Sequence, residues 1–196
     1  MSNLYKLTTK CVTQVMQLEV EKRGLLAENQ LGTVRKVQGA KVQALLNLAL
    51  NKEHGKQLLT AWIDVKKAYD SVDHAYLIQC IKKLNFPKWI TRFLESIIFK
   101  WIIDVRVNNR SFFTKRIARG ILQGNSFSPL LFVLCMDPLS RALNGKYTEI
   151  TAHSDDCTYG CNHLLFVDDL KLLALNDVDL KSLMDKTKRF LAVVGL

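Results

Sequence analysis

The sequence has no internal repeat and no low-complexity linker, and 3 prolines with 9 glycines in 196 residues exclude a collagen-like or fibrous chain. It also lacks an apolar leader: MSNLYKLTTK contains no hydrophobic stretch of signal-peptide length. The longest uncharged run, 120–136, is interrupted by Gln123, Asn125, Ser126, Ser128 and Pro129, so no membrane span is expected. Cysteine is sparse and odd in number: Cys11, Cys80, Cys135, Cys157 and Cys161 lack the spacing of a disulfide scaffold, which favours a reducing compartment. Acidic residues are also few, 18 against 28 basic ones, for a net charge of +10. The imbalance is local, because residues 1–136 carry 21 basic and 9 acidic side chains, a net of +12, while residues 137–196 carry 7 and 9, a net of −2. A basic surface beside an acidic segment suits a protein that holds a polyanion while presenting carboxylates to a cation.

What is present reads as a globular domain. Hydrophobic residues make up 48% and charged residues 23%, and the length fits one domain, or one domain and part of a neighbour. Such a chain buries roughly 70% of its unfolded surface. Leu4, Leu7, Cys11, Val15 and Leu18 recur at helical spacing, with Gly24 as a C-cap, and Ala40 to Leu50 predicts a second helix. The run QLLTAWID over 57–64 predicts a buried strand ending in a carboxylate. Helices are expected over 75–84, with Asp70, Ser71 or Asp73 as N-cap, and over 89–99. A hairpin turning at Asn108-Asn109 follows, then a glycine-bearing loop and an apolar helix that opens at Ser128 and Pro129. Residues 148–166 read as strand, turn at Tyr159-Gly160, strand; a strand over 168–176 and a helix over 180–194 close the chain. This order predicts an α+β fold with helices covering an antiparallel sheet.

Three carboxylates sit in apolar surroundings: Asp64 after LLTAWI, and Asp168 with Asp169 inside LLFVDDLKLLA. Adjacent acids in a hydrophobic strand repel each other and resist burial, so a divalent cation is the expected counter-charge. All-oxygen ligands suit Mg²⁺, which takes its remaining ligands from water and substrate phosphates. A lone DD pair more often forms a simple turn, and the assignment to chemistry depends on the motifs around it.

Four segments in order supply those motifs: ENQLGT at 28–33, AWIDVKKAYD at 61–70, GILQGNSFSPLLF at 120–132 and LLFVDDLKLLA at 164–174. Together they resemble the reverse transcriptases of non-LTR retrotransposons over nearly the whole chain. The resemblance implies a right-hand polymerase, here its fingers and palm with an antiparallel palm sheet backed by helices, the thumb expected to be absent because the family reaches it only after the last residue of this sequence. It assigns residues 1–55 to the fingers and 56–196 to the palm with the remaining fingers elements. It further implies an RNA-directed DNA polymerase that uses two Mg²⁺ ions, or Mn²⁺, to add deoxynucleotides to a primer 3′-hydroxyl. Asp64 and Asp168 are then the metal-binding pair, with Asp169 beside them and the Val65 carbonyl completing the shell. Tyr69 occupies the place of the side chain that crowds a ribose 2′-hydroxyl, and Gln123 and Gly124 resemble the loop lining the nucleotide pocket. RNA template, DNA primer and dNTPs are the implied partners.

The sequence departs from the family at Asn125, where many relatives carry an acid, and at Phe127, where they carry a smaller aliphatic residue. Its ends suggest a fragment lacking the thumb, endonuclease and other parts of the parent polyprotein. An inert remnant acting at most as an RNA-binding module is the alternative, and an RNA-templated RNA polymerase is a third. An intracellular location is implied, and the nucleus for an enzyme priming on chromosomal DNA. Weaker candidates are a zinc site at His153, Cys157, Cys161 and His163, and phosphate contacts at Arg35, Lys36, Lys82, Lys83, Lys88 and Arg92.

Overall fold

A computed structural model describes residues 3–33, 39–145, 150–153 and 158–196. Its centre is a three-stranded antiparallel sheet in which β7 (Asp169–Ala174) lies between β1 (Leu59–Asp64) and β6 (His163–Phe166). The sheet forms where β-branched and leucine-rich runs meet: Ala61 and Ile63 of β1 oppose Leu172 and Leu170 of β7 on one face. That face packs against α6 (Ser128–Asn144) and α7 (Asp177–Val194). On the other face Trp62 opposes Lys171 and Asp64 opposes Asp169, and α2 (Gly39–His54) covers only part of it, through Leu50 on Leu173 and Asn47 on the Lys171 ammonium. The chain therefore leaves the carboxylate end of one sheet face open.

α6 is buried over most of its length, from Leu130 to Leu143, because it is apolar on every side. Ser128 at its first turn donates to the Leu122 carbonyl, and Pro129 lies where a helix lacks backbone acceptors. α4 (His74–Lys83) starts at the expected cap: the Asp73 carboxylate accepts from the Ala75 and Tyr76 amides at 2.9 and 3.0 Å. α5 (Lys88–Ile98) follows. β2 (Ile102–Val107) and β3 (Arg110–Arg116) form the hairpin expected at Asn108-Asn109, both of which take positive φ, 50° and 62°. A short helix α3 (Ala68–Ser71), not foreseen from the sequence, follows β1.

Three expectations fail. The strand expected to be buried over 57–64 forms as β1, but Thr60, Trp62 and Asp64 are exposed and Leu59, Ala61 and Ile63 only half-buried, because one of its faces is largely uncovered. α1 (Asn3–Lys22) exists, but Leu4, Leu7 and Leu18 are 75%, 60% and 53% exposed, whereas Thr9, Val12, Thr13, Met16 and Val20 are buried. Both stripes have helical spacing, and the polar one can be buried because Thr13 donates back to the Thr9 carbonyl at 2.7 Å and Thr9 to that of Lys6 at 3.0 Å. Tyr159 and Gly160 are not a turn either. They lie inside β5 (Thr158–Cys161), paired with Ala152 and Thr151 of β4 (Ile150–His153); 154–157 are outside the described residues.

His163 is fully buried, its Nε2 2.7 Å from Ser140 Oγ and its Nδ1 2.7 Å from Asn162 Oδ1. Desolvation pushes its pKa down to about 4. The folded state then resists protonation that the unfolded chain accepts near 6.5, so this contribution is complete above pH 6.5 and is lost as pH falls toward 4. Over the whole window it amounts to about 3 kcal/mol. Denaturant titrations between pH 7 and 4 should show this loss in the natural chain and a flatter profile in His163→Gln; equal slopes would refute it.

Candidate active site

β7 begins where the antiparallel β1 ends, so the register places Asp64 directly opposite Asp169. Cross-strand partners share a face, and two carboxylates there repel each other. Asp168 lies beside them in the tight connection between β6 and β7, whose flanking residues Phe166 and Asp169 pair. The turn is strained: Val167, β-branched, has φ 60°. Asp64 and Asp169 are exposed and Asp168 is half-buried. Among the described residues none of the three carboxylates has an ion-pair partner. Lys171, on the same face as Asp169, is turned to other work, with its ammonium on Asn47 Oδ1 and 5.0 Å from the Trp62 ring centroid.

Tyr69 of α3 stacks on Phe132 of α6 at 5.0 Å between ring centroids. Burial first, and then the Asp168 charge, push its phenol pKa up. Val65 follows β1 with its side chain buried, and its carbonyl accepts from the Ala68 amide at 3.2 Å, leaving a second lone pair. The loop with Gln123 and Gly124 is fastened to the same region: the Ile121 amide donates to the Tyr69 carbonyl and the Gly120 amide to that of Val72, each at 2.7 Å. Gln123 and Gly124 themselves are exposed, and Gly124 has φ 79° with open space where a Cβ would stand.

The two departures in this loop have structural roles. Asn125 is buried and donates to the Tyr5 hydroxyl at 3.3 Å, while Phe127 is buried and stacks on Trp101 at 6.4 Å.

One contributor escaped the sequence reading. Residues 29–31 run parallel to β6: the Leu31 amide donates to the Leu165 carbonyl at 2.9 Å and the Leu165 amide to that of Asn29 at 3.0 Å. The buried Gln30 side chain reaches the strained turn, Oε1 accepting from the Gly32 amide at 3.0 Å and from the Val167 amide at 3.4 Å. The ENQLG signal was visible in the sequence, but its contact with the DD turn was not.

Oxygen-only anionic donors suit a hard divalent cation. They are not a ready-made cage, since among the described residues no group of three or more His, Cys, Asp or Glu side chains is placed to hold a metal ion. Water and phosphate oxygens would have to complete the shell around Asp64, Asp168 and Asp169. The zinc alternative gains nothing: His163 is committed to Ser140 and Asn162, Cys161 is buried, and Cys157 lies outside the described residues, as do Arg35 and Lys36. Lys82 is paired with Glu95 at 2.7 Å. No described helix is long and apolar enough to cross a membrane.

The sequence matches the family described as Reverse transcriptase (RNA-dependent DNA polymerase) over residues 1–196. It is 33% identical over 151 residues to the Retrovirus-related Pol polyprotein from type-2 retrotransposable element R2DM of Drosophila melanogaster, covering 77% of this chain and 14% of that protein. A Pol polyprotein from a type-1 element R2 of Popillia japonica is 27% identical over 202 residues, covering all of this chain and 27% of that protein. The chain thus spans under a third of these relatives' length. Among solved structures, the fold matches a telomerase from Candida albicans in complex with a TWJ fragment of telomeric RNA, with TM-score 0.70, 13% identity, and 94% of this chain and 32% of that one covered. An apo telomerase from Candida tropicalis, truncated from its C-terminal domain, gives TM-score 0.69 at 19% identity, covering 97% and 38%.

Proposed function

Because this chain belongs to the reverse transcriptase (RNA-dependent DNA polymerase) family, we propose that it carries the nucleotide-transfer site of an RNA-templated DNA polymerase, built on Asp64, Asp168 and Asp169. The observation that carries this reading is the register of β1 on β7, which brings acids from residues 64 and 169 face to face beside Asp168. Asp64 and Asp168 hold the cations, the Val65 carbonyl adds a neutral oxygen, and Asp169 adds negative charge at the strand end. When bound, two Mg²⁺ or Mn²⁺ ions supply acidification of the primer 3′-hydroxyl and neutralisation of the leaving pyrophosphate. Tyr69, fixed by its stack on Phe132, stands against the sugar and disfavours a 2′-hydroxyl by crowding. Gln123 and Gly124 offer an amide side chain and a bare backbone to the incoming nucleotide.

On this reading residues 1–55 contribute to the fingers and 56–196 to the palm with further fingers elements. The substrates are an RNA template, a DNA primer and dNTPs, and an enzyme of this kind that primes on chromosomal DNA works in the nucleus. Primer extension on poly(rA)/oligo(dT) with dTTP and Mg²⁺ or Mn²⁺ tests it. Incorporation is expected in the natural chain and lost in Asp168→Ala. Incorporation that survives in the variant, or a preference for ribonucleotides, would overturn the reading.

A further inference from the structure

The hairpin of β2 and β3 is exposed along both strands. Its register sorts the side chains into two faces. Asp104, Arg106, Ser111 and Thr114 share one, where Asp104 accepts from Arg106 Nε at 2.6 Å, Ser111 Oγ at 2.5 Å and Thr114 Oγ1 at 3.1 Å. The acid of that face is thereby used up internally. Ile103, Val105 and Val107 occupy the other face, opposite Lys115, Phe113 and Arg110. A register shift at Val105/Arg106 leaves Phe112 without a cross-strand partner, and it stands 81% exposed. An isolated two-stranded hairpin is marginal in water, and an apolar face of this kind calls for a cover.

We propose that this hairpin is a docking surface for single-stranded RNA. Arg110 and Lys115 have no acidic partner among the described residues and share a face with Phe113, next to the unpaired Phe112, the combination of phosphate-neutralising cations and stacking rings that a single strand requires. A second copy of the chain is disfavoured, since a twofold contact would set these cations against themselves. A protein partner would have to bring acids against these cations one by one, whereas a phosphate backbone presents the matching charge along its whole length.

The hairpin's root supports the assignment. The Ile117 amide donates to the Trp101 carbonyl at 2.9 Å, and Trp101 stacks on Phe127 while its indole N–H donates to the Tyr5 hydroxyl at 2.9 Å. That hydroxyl also receives Asn125, so the hairpin springs from the same packing that seats the loop of Gln123 and Gly124. A strand held on it leads toward the proposed nucleotide pocket. The choice of RNA over DNA rests on the polymerase reading; the surface itself does not.

The test is fluorescence anisotropy with a labelled 20-nucleotide mixed-sequence RNA, performed on the 196-residue chain carrying Asp168→Ala so that no incorporation is involved. Phe112→Ala with Phe113→Ala should weaken binding about tenfold or more. Arg110→Gln with Lys115→Gln should reduce the slope of log affinity against log salt by about 1.4. Both pairs lie outside the core, so circular dichroism and the thermal midpoint should stay unchanged. Unchanged affinity and slope would overturn the proposal, as would tighter binding of single-stranded DNA than of RNA. Sedimentation showing a dimer that the phenylalanine pair dissolves would assign the face to a second copy instead. Because binding is read without catalysis, a failed primer-extension assay leaves this result standing, and a failed binding assay leaves the carboxylate site standing.

Discussion

Asp64→Asn is expected to make the metal-free chain more stable and to cut the proposed polymerase activity severely. Asp64 and Asp169 face each other across two strands without a cationic partner among the described residues. Opposed like charges on a sheet cost about 0.2–1 kcal/mol, and an amide of the same shape removes that cost. For a chain of this size a gain near the upper end raises the thermal midpoint by about 2–4 °C. The gain should shrink at about 1 M salt, because both acids are exposed and salt screens their repulsion. Divalent cations should act in the opposite sense: titrating Mg²⁺ stabilises the natural chain by binding only its folded state, while Asp64→Asn responds weakly. Losing one charge from a cation site costs several kcal/mol of transition-state stabilisation, so incorporation should fall roughly a thousandfold. A variant whose melting responds to Mg²⁺ as the natural chain does, or which retains its rate, would disprove the role of Asp64.

The sequence made legible those parts of this site that depend on local chemistry. The strand ending in Asp64, the Asp73 cap and the Asn108-Asn109 turn each carry their signal within a few residues and each forms where expected, although that strand is half-exposed rather than buried. Pairing information was harder to read. Nothing in LLTAWID or VDDLKLL says that Asp64 meets Asp169 rather than Asp168, because register depends on which faces of two distant strands are buried. α1 shows the same limit from the other side: two stripes had helical spacing, and backbone-bonded threonines made the buried one look polar. Lys171 was similarly opaque. A lysine in a strand reads as solvent-facing, yet this one is buried, and the same burial pushes its pKa down while Asn47 and the Trp62 ring take up its charge.

Long-range contacts also leave no room for a side chain at position 32. Gly32→Ala is expected to cut the turnover of the proposed polymerase about a hundredfold while leaving primer-template affinity nearly intact. A Cβ on Gly32 would stand 2.8 Å from both Val167 Cγ2 and the Val167 amide nitrogen, and 3.1 Å from Gln30 Oε1. Val167 already holds a left-handed backbone that costs a residue of its kind about 1–2 kcal/mol, and such strain persists only where neighbours enforce it. Those neighbours are residues 29–31, hydrogen-bonded along β6, and Gln30, whose Oε1 engages the Gly32 and Val167 amides together. An added methyl group has to push this strap or the turn aside, costing about 1–3 kcal/mol as overpacking does elsewhere. Displacing the turn by about 1 Å moves Asp168 and Asp169 relative to Asp64, enough for the expected loss of rate. Combining the change with Val167→Ala removes the clash with Cγ2 but keeps the one with the backbone nitrogen, so stability should recover in part and turnover should not. Single-turnover extension with saturating primer-template, alongside denaturant melts, separates these effects. If Gly32→Ala matched the natural chain in both rate and stability, the strap would have no hold on the carboxylate turn.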